Sequence, residues 1–143
     1  DFWATWCGPC VAALPIVNKV ASDYAEKGVV FYAVNQQEEA EQVTSFLAKK
    51  ELDLPVAMDP EGEAGAMYLV EGLPTSVMIG LDGRVQVVHM GYSPAMEESL
   101  REELDALVAK KDLASAEIAK WNEEHPDKQV EVGGAGEGEG QQE

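Results

Sequence analysis

Cys7 and Cys10 are the only cysteines among 143 residues, and Gly8-Pro9 is all that separates them. They form one local dithiol, not a disulfide framework. The pair follows Phe2-Trp3-Ala4-Thr5-Trp6, which reads as the end of an apolar strand, and precedes a helical pattern. A helix N-terminus carries partial positive charge and unpaired N–H groups, both of which favour a thiolate. Cys7 stands before the first turn, where that field is strongest. Cys10 lies one turn inside and is expected to be less exposed. In this arrangement Cys7 can attack a substrate disulfide, and Cys10 is close enough to resolve the mixed disulfide.

Metal binding is the other chemistry open to such a pair. A structural zinc site needs about four ligands. His89 and His125 are the remaining soft candidates, and neither has ligand-like spacing. A purely structural disulfide gains little from closing so short a loop. Thiol–disulfide exchange is therefore the expected chemistry. It needs no prosthetic group, because the redox-active element is the Cys7–Cys10 disulfide itself.

Positioning these residues falls to an alternation of strands and helices. Leu14, Val17, Ala21 and Tyr24 recur at helical spacing after the cysteines, with Gly28 as a stop. Pro15 inside that helix is expected to kink it. Residues 29–34 are continuously apolar, as in a strand covered on both faces. Residues 38–50 return to the helical period through Val43, Phe46 and Leu47. An extended piece at 54–58 leads into the turn Asp59-Pro60-Glu61-Gly62 and a short helix at 63–69. Residues 76–81 and 84–90 flank Asp82-Gly83, a hairpin signal. Pro94 suits the first turn of the next helix, with Ser93 as its cap, and Leu100, Leu104, Leu107 and Val108 give it an apolar face. The order predicts an α/β layered fold.

Three regions follow from this pattern: the α/β domain at 1–111, a helical extension at 112–126 carrying Ala114, Ile118 and Trp121, and an acidic tail at 127–143. The Gly/Glu/Gln-rich 133–143 stretch cannot bury enough apolar surface to offset its ordering entropy, so disorder is expected there. A hydrophobic content of 45% is enough for a core, while the net charge of −17 speaks against nucleic acid and anionic membranes. No apolar run approaches the length of a membrane span. The opening Asp1-Phe2-Trp3-Ala4 reads as the tail of a strand already under way, so an upstream portion is expected.

Trp6-Cys7-Gly8-Pro9-Cys10 after an apolar strand resembles the thioredoxin superfamily. Phe2-Trp3-Ala4-Thr5-Trp6-Cys7, Tyr32-Ala33-Val34-Asn35 and Gly72-Leu73-Pro74-Thr75-Ser76, with Ile79 and Asp82-Gly83 following, resemble its TlpA/ResA-like thiol–disulfide oxidoreductases. The resemblance covers residues 1–108. It implies a thioredoxin-like fold, a central mixed β-sheet flanked by helices, with the first strands missing or truncated and stability reduced accordingly.

The resemblance also implies a set of site residues. Cys7 and Cys10 are the exchanging pair, and Glu38 lies under them as the acceptor of the Cys10 proton. That role assumes an apolar setting for the carboxyl; the residues alone equally allow Glu38 and Glu39 to decorate a helix N-terminus. Trp6, Gly8, Pro9, Leu73 and Pro74 would meet the substrate, whereas Trp3 belongs to the core. A cis Leu73–Pro74 bond would bring the Leu73 backbone beside the dithiol, to pair with a substrate strand and keep metals out. Sequence alone favours the trans form by roughly ten to one.

The implied function is reduction of protein disulfides by an extracytoplasmic monomer, recharged by a membrane thiol donor. Reduction of apocytochrome c cysteines is one such task. The alternatives are a non-enzymatic interaction or metal-carrier domain, and a thiol peroxidase. The latter is weakened by the lack of a Pro-x-x-x-Thr/Ser-x-x-Cys stretch.

Overall fold

A computed structural model describes residues 1–131; the 132–143 part of the expected tail lies outside the described residues. The elements in chain order are β1 (Phe2–Trp3), α1 (Gly8–Asp23), β2 (Ala33–Gln36), α2 (Ala40–Lys50), β3 (Val56–Asp59), α3 (Glu63–Met67), β4 (Thr75–Ile79), β5 (Val85–Met90), α4 (Met96–Val108) and α5 (Leu113–Glu124). The strands form one mixed sheet in the order β3-β2-β1-β4-β5. Strands β1, β2 and β3 run parallel, while β4 lies antiparallel to β1 with Thr75 opposite Phe2. The ends of β1, β2 and β3 therefore meet the start of β4 at one edge of the molecule. This is the thioredoxin-like α/β arrangement, with the strand-to-helix junction of the dithiol at the centre of the sheet.

Helix α1 knits the core because its buried positions follow the helical repeat on two adjoining faces. Cys10 and Leu14 join Trp3, Ala33 and Val43, with Phe46, Leu47 and Val56 packed around them. Ala13, Val17 and Val20 join Tyr24, Met96 and Leu100, with Met78 and Leu104 alongside. Phe31 touches both groups. Helices α1 and α4 are further tied by Tyr24, whose hydroxyl donates to Asp105 Oδ1 at 2.8 Å, and by the Arg101–Asp23 pair at 2.8 Å.

Several element boundaries depart from the sequence reading. The expected strand at 29–34 begins only at Ala33. On one side Val34 is the first residue to find a β1 partner, and on the other the β3 ladder starts opposite Ala33, just after Pro55. With no ladder beside them, residues 29–32 run without strand pairing, and Val30 and Tyr32 are exposed. Together with residues 76–81, α1 and α4, residues 29–31 border an open apolar groove of about 540 Å³. Helix α1 continues through Pro15 and ends at Asp23; a single 3-10 turn then closes on Gly28 at φ +90°, a conformation suited to glycine.

Helix α2 starts at Ala40, so Glu38 lies outside it. Helix α4 starts at Met96 and not at Pro94, because Ser93 spends its oxygens on a preceding turn, accepting from Ala95 and Met96 N–H. Glu97, in the first turn of α4, is paired: Lys19 and Arg101 both contact its Oε1. Helix α5 is anchored to β5 by Gln86 Oε1, which accepts from Leu113 and Ala114 N–H. Beyond it, Asn122 exchanges two hydrogen bonds with the backbone of Val130.

Candidate active site

Cys7 is the N-cap residue of α1, with extended backbone at φ −89° and ψ 104°. Its Sγ accepts the N–H of Cys10 at 3.2 Å, so an unpaired donor of the first turn points at the sulfur. Pro9 is tolerated beside it because the first helical positions need no N–H partner. The two cysteines are joined as a disulfide with their Cα atoms 5.2 Å apart. Cys7 is 5% exposed and Cys10 fully buried at 0%. A partner thus reaches the first sulfur before the second. Gly8 and Pro9 are exposed on the approach side, and a Cβ built on Gly8 would meet nothing within 4 Å.

The two tryptophans flanking this junction part company. Trp3 points into the core at 0% exposure and packs against Phe46, whereas Trp6 stands in solvent at 73% beside the disulfide. From the opposite wall comes the Leu73–Pro74 segment, whose peptide bond is cis. Leu73 packs on the cluster that contains Cys7 and Cys10, and Pro74 is buried. The Pro74 carbonyl accepts from Gly91, but Leu73 makes no hydrogen bond among the described residues. Leu73 itself is half-buried.

Glu38 is 7% exposed, but its setting differs from the apolar one expected. Oε1 accepts from Thr5 N–H at 2.7 Å and Asn35 Nδ2 at 2.9 Å. Oε2 accepts from the Thr5 hydroxyl at 2.5 Å and Gln42 Nε2 at 2.9 Å. Nor does Glu38 adorn a helix start, since it precedes the N-cap Glu39. The carboxylate binds the loop that leads into Cys7 to the end of β2 and the first turns of α2. Thr5, Asn35 and Gln42 were not singled out from the sequence. Two weak signals existed: Thr5 lies inside the cysteine motif, and Gln42 follows Glu38 by one helical step.

The remaining candidates are engaged elsewhere. His89 contacts Glu103 at 2.7 Å, and His125 stacks on Trp121. Among the described residues no group of three or more His, Cys, Asp or Glu could hold a metal ion, and no helix is long and apolar enough to cross a membrane.

Residues 1–104 match the Redoxin family model. Thiol-disulfide oxidoreductase ResA of Bacillus thuringiensis subsp. konkukian is 41% identical over 85 residues, covering 59% of this chain and 49% of the relative. ResA of Bacillus anthracis is 34% identical over 110 residues, 77% of this chain and 60% of the relative. The chain thus spans about half the length of the first of these relatives. Among solved structures, a Chlorobium tepidum protein provisionally designated thiol:disulfide interchange protein DsbE superposes with a TM-score of 0.70 at 37% identity, covering 75% of this chain and 76% of that one. A secreted Mycobacterium tuberculosis disulfide oxidoreductase gives 0.57 at 26% identity, over 76% and 77%.

Proposed function

Because this chain belongs to the Redoxin family, and within it to the ResA/TlpA-like members of the thioredoxin superfamily, we propose that it is a thiol–disulfide oxidoreductase that reduces protein disulfides. The observation that supports this best is the asymmetry of the dithiol: Cys7 at the helix N-cap under the Cys10 N–H, Cys10 buried behind it.

In the reduced protein the Cys7 thiolate attacks one substrate sulfur. The substrate S–S bond breaks, the attacked sulfur joins Cys7 in a mixed disulfide, and its former partner sulfur leaves as a thiolate that takes a proton. Cys10 then loses its proton, for which the resemblance proposes Glu38 as acceptor although its carboxylate sits among four donors and not in the apolar setting that role assumes, and attacks Cys7 Sγ. The attacked substrate sulfur departs, Cys7–Cys10 closes as a disulfide, and two electrons have moved to the substrate. No prosthetic group takes part. Trp6, Gly8 and Pro9 receive the substrate surface, while the unbonded Leu73 backbone next to Pro74 pairs with its chain.

Gly8-Pro9 between the cysteines resembles the reducing members of the superfamily, which favours the reducing direction. The protein is proposed to work as a monomer outside the cytoplasm, in keeping with the secreted relative. A membrane thiol donor would return it to the dithiol form, and apocytochrome c cysteines are one class of substrate.

The test uses a disulfide-bonded protein substrate and non-reducing electrophoresis. Cys10→Ser should accumulate a covalent protein–substrate adduct that dithiothreitol releases, and Cys7→Ser should form none and lose turnover. Turnover by Cys7→Ser, or a Cys10→Ser protein that traps nothing, would overturn the assignment.

A further inference from the structure

The Glu38 carboxylate is saturated. An ionised carboxylate offers about four lone-pair sites, and Thr5 N–H, Asn35 Nδ2, the Thr5 hydroxyl and Gln42 Nε2 occupy them. Among the described residues no Lys, Arg or His lies in ion-pair contact with it. The groups that face it are those of the Thr5 loop, β2 and α2 named above. A proton can join this carboxylate only where a donor gives way, because an O–H and an N–H cannot both point into the same contact.

The four donors are not equally able to do so. The Thr5 N–H belongs to the backbone, and Asn35 is fully buried on β2. Both hold Oε1, where Asn35 could accept a proton only by turning its whole buried amide to present its unpartnered Oδ1, so Oε2 is the oxygen that takes the proton with least rearrangement. At Oε2 the Thr5 hydroxyl alone can change from donor to acceptor by rotating one bond, with no heavy atom displaced. Building on the proposed role of Glu38 as proton acceptor for Cys10, we infer that Thr5 is a positioning residue whose hydroxyl turns over to receive the proton as it arrives on Glu38 Oε2.

The balance is simple. The Cys10 thiol and the Glu38 carboxylate become a Cys10 thiolate and a Glu38 carboxylic acid. The new Oε2–H donates to Thr5 Oγ1, whose own hydrogen swings away toward another acceptor or solvent. Without that oxygen, the buried acid would carry an unsatisfied donor, which disfavours the protonated form. Gln42 acts in the opposite sense: its amide donates to Oε2 at 2.9 Å and, at 3.4 Å, to the Thr5 oxygen that would receive the proton, so it favours the ionised arrangement at both atoms.

The experiment measures two rates separately by stopped flow and quenched mass spectrometry. Resolution of a preformed Cys7 mixed disulfide is followed across pH, and attack by Cys7 is followed in the Cys10→Ser background. Thr5→Val should slow resolution roughly tenfold, within the contribution of general base catalysis, and flatten its pH profile, with Thr5→Ser restoring both. Attack by Cys7 should stay within about twofold of the parent, a threshold well below that catalytic factor. Gln42→Leu, at an exposed helical position that does not endanger folding, should speed resolution.

Four results would overturn the inference: Thr5→Val resolving normally, Thr5→Val slowing both steps alike, Thr5→Ser failing to restore, or Gln42→Leu slowing resolution. Glu38→Gln separates the two levels. If it resolves at the parental rate, the proton-acceptor role of Glu38 falls and the Thr5 switch with it. If it is slow while Thr5→Val is normal, only the switch falls.

Discussion

The pairs Cys7/Cys10 and Trp3/Trp6 show how much chemistry depends on which side of the strand-to-helix junction a side chain faces. Trp3 and Trp6 share a residue type, yet one is part of the core and the other of the approach surface. Trp3→Ala should cost about 3–5 kcal/mol in chemical denaturation, the range for large aromatic truncations in a core. Trp6→Ala should change stability by less than about 0.5 kcal/mol while raising KM for a protein disulfide, with kcat little altered. Equal losses of stability would contradict the division. The motif residues were readable because their spacing is local. Thr5 and Gln42 were not, since their meaning lies in hydrogen bonds to Glu38 across 33 residues in one case and a chosen rotamer in the other.

Among the elements, types were legible and boundaries were not. Asp82-Gly83 announced the β4–β5 hairpin because a tight turn demands particular residues. Residues 29–34 looked like a strand because they are continuously apolar, whereas only Ala33 and Val34 of that run find strand partners. Ser93-Pro94 misled for a related reason: a cap sequence is equally at home in a turn that precedes the helix. Asp59, at the end of β3, is the residue that ties β3 to α3. Burial alone would raise its pKa, but the N–H of Gly65, the Gln36 amide and the N–H of Ala64 together hold it below the ordinary carboxylate value. A carboxylate depressed in the fold contributes stability above its unfolded pKa of about 3.9, and that contribution is lost as pH falls through the folded value. Asp59→Asn should therefore cost about 1–2 kcal/mol at pH 7. The gap should close as pH is lowered toward 2 in denaturant titrations; a gap independent of pH would show that the charge plays no part.

At the scale of the whole molecule, two hydrophobic groups share α1 and are bridged by Phe31. That sharing predicts a single cooperative unfolding transition, which Phe31→Ala should move to lower denaturant by about 2–4 kcal/mol, somewhat under the full cost for a buried phenylalanine because it is half-buried. Two separable transitions would mean that the groups fold independently. The α/β class was legible from the alternation of periods, and the mixed sheet order followed from the resemblance. The apolar groove between residues 29–31 and 76–81 was invisible in sequence, because it is lined by segments far apart in the chain.

The reactivity of Cys7 is tested most directly by reducing the protein and timing carbamidomethylation of each cysteine by mass spectrometry across pH. A sulfur held at the N-cap of α1 predicts that Cys7 is modified first, with a midpoint below the ordinary thiol value of about 8.5, while buried Cys10 lags. A Cys7 midpoint at or above that value, or faster labelling of Cys10, would contradict it.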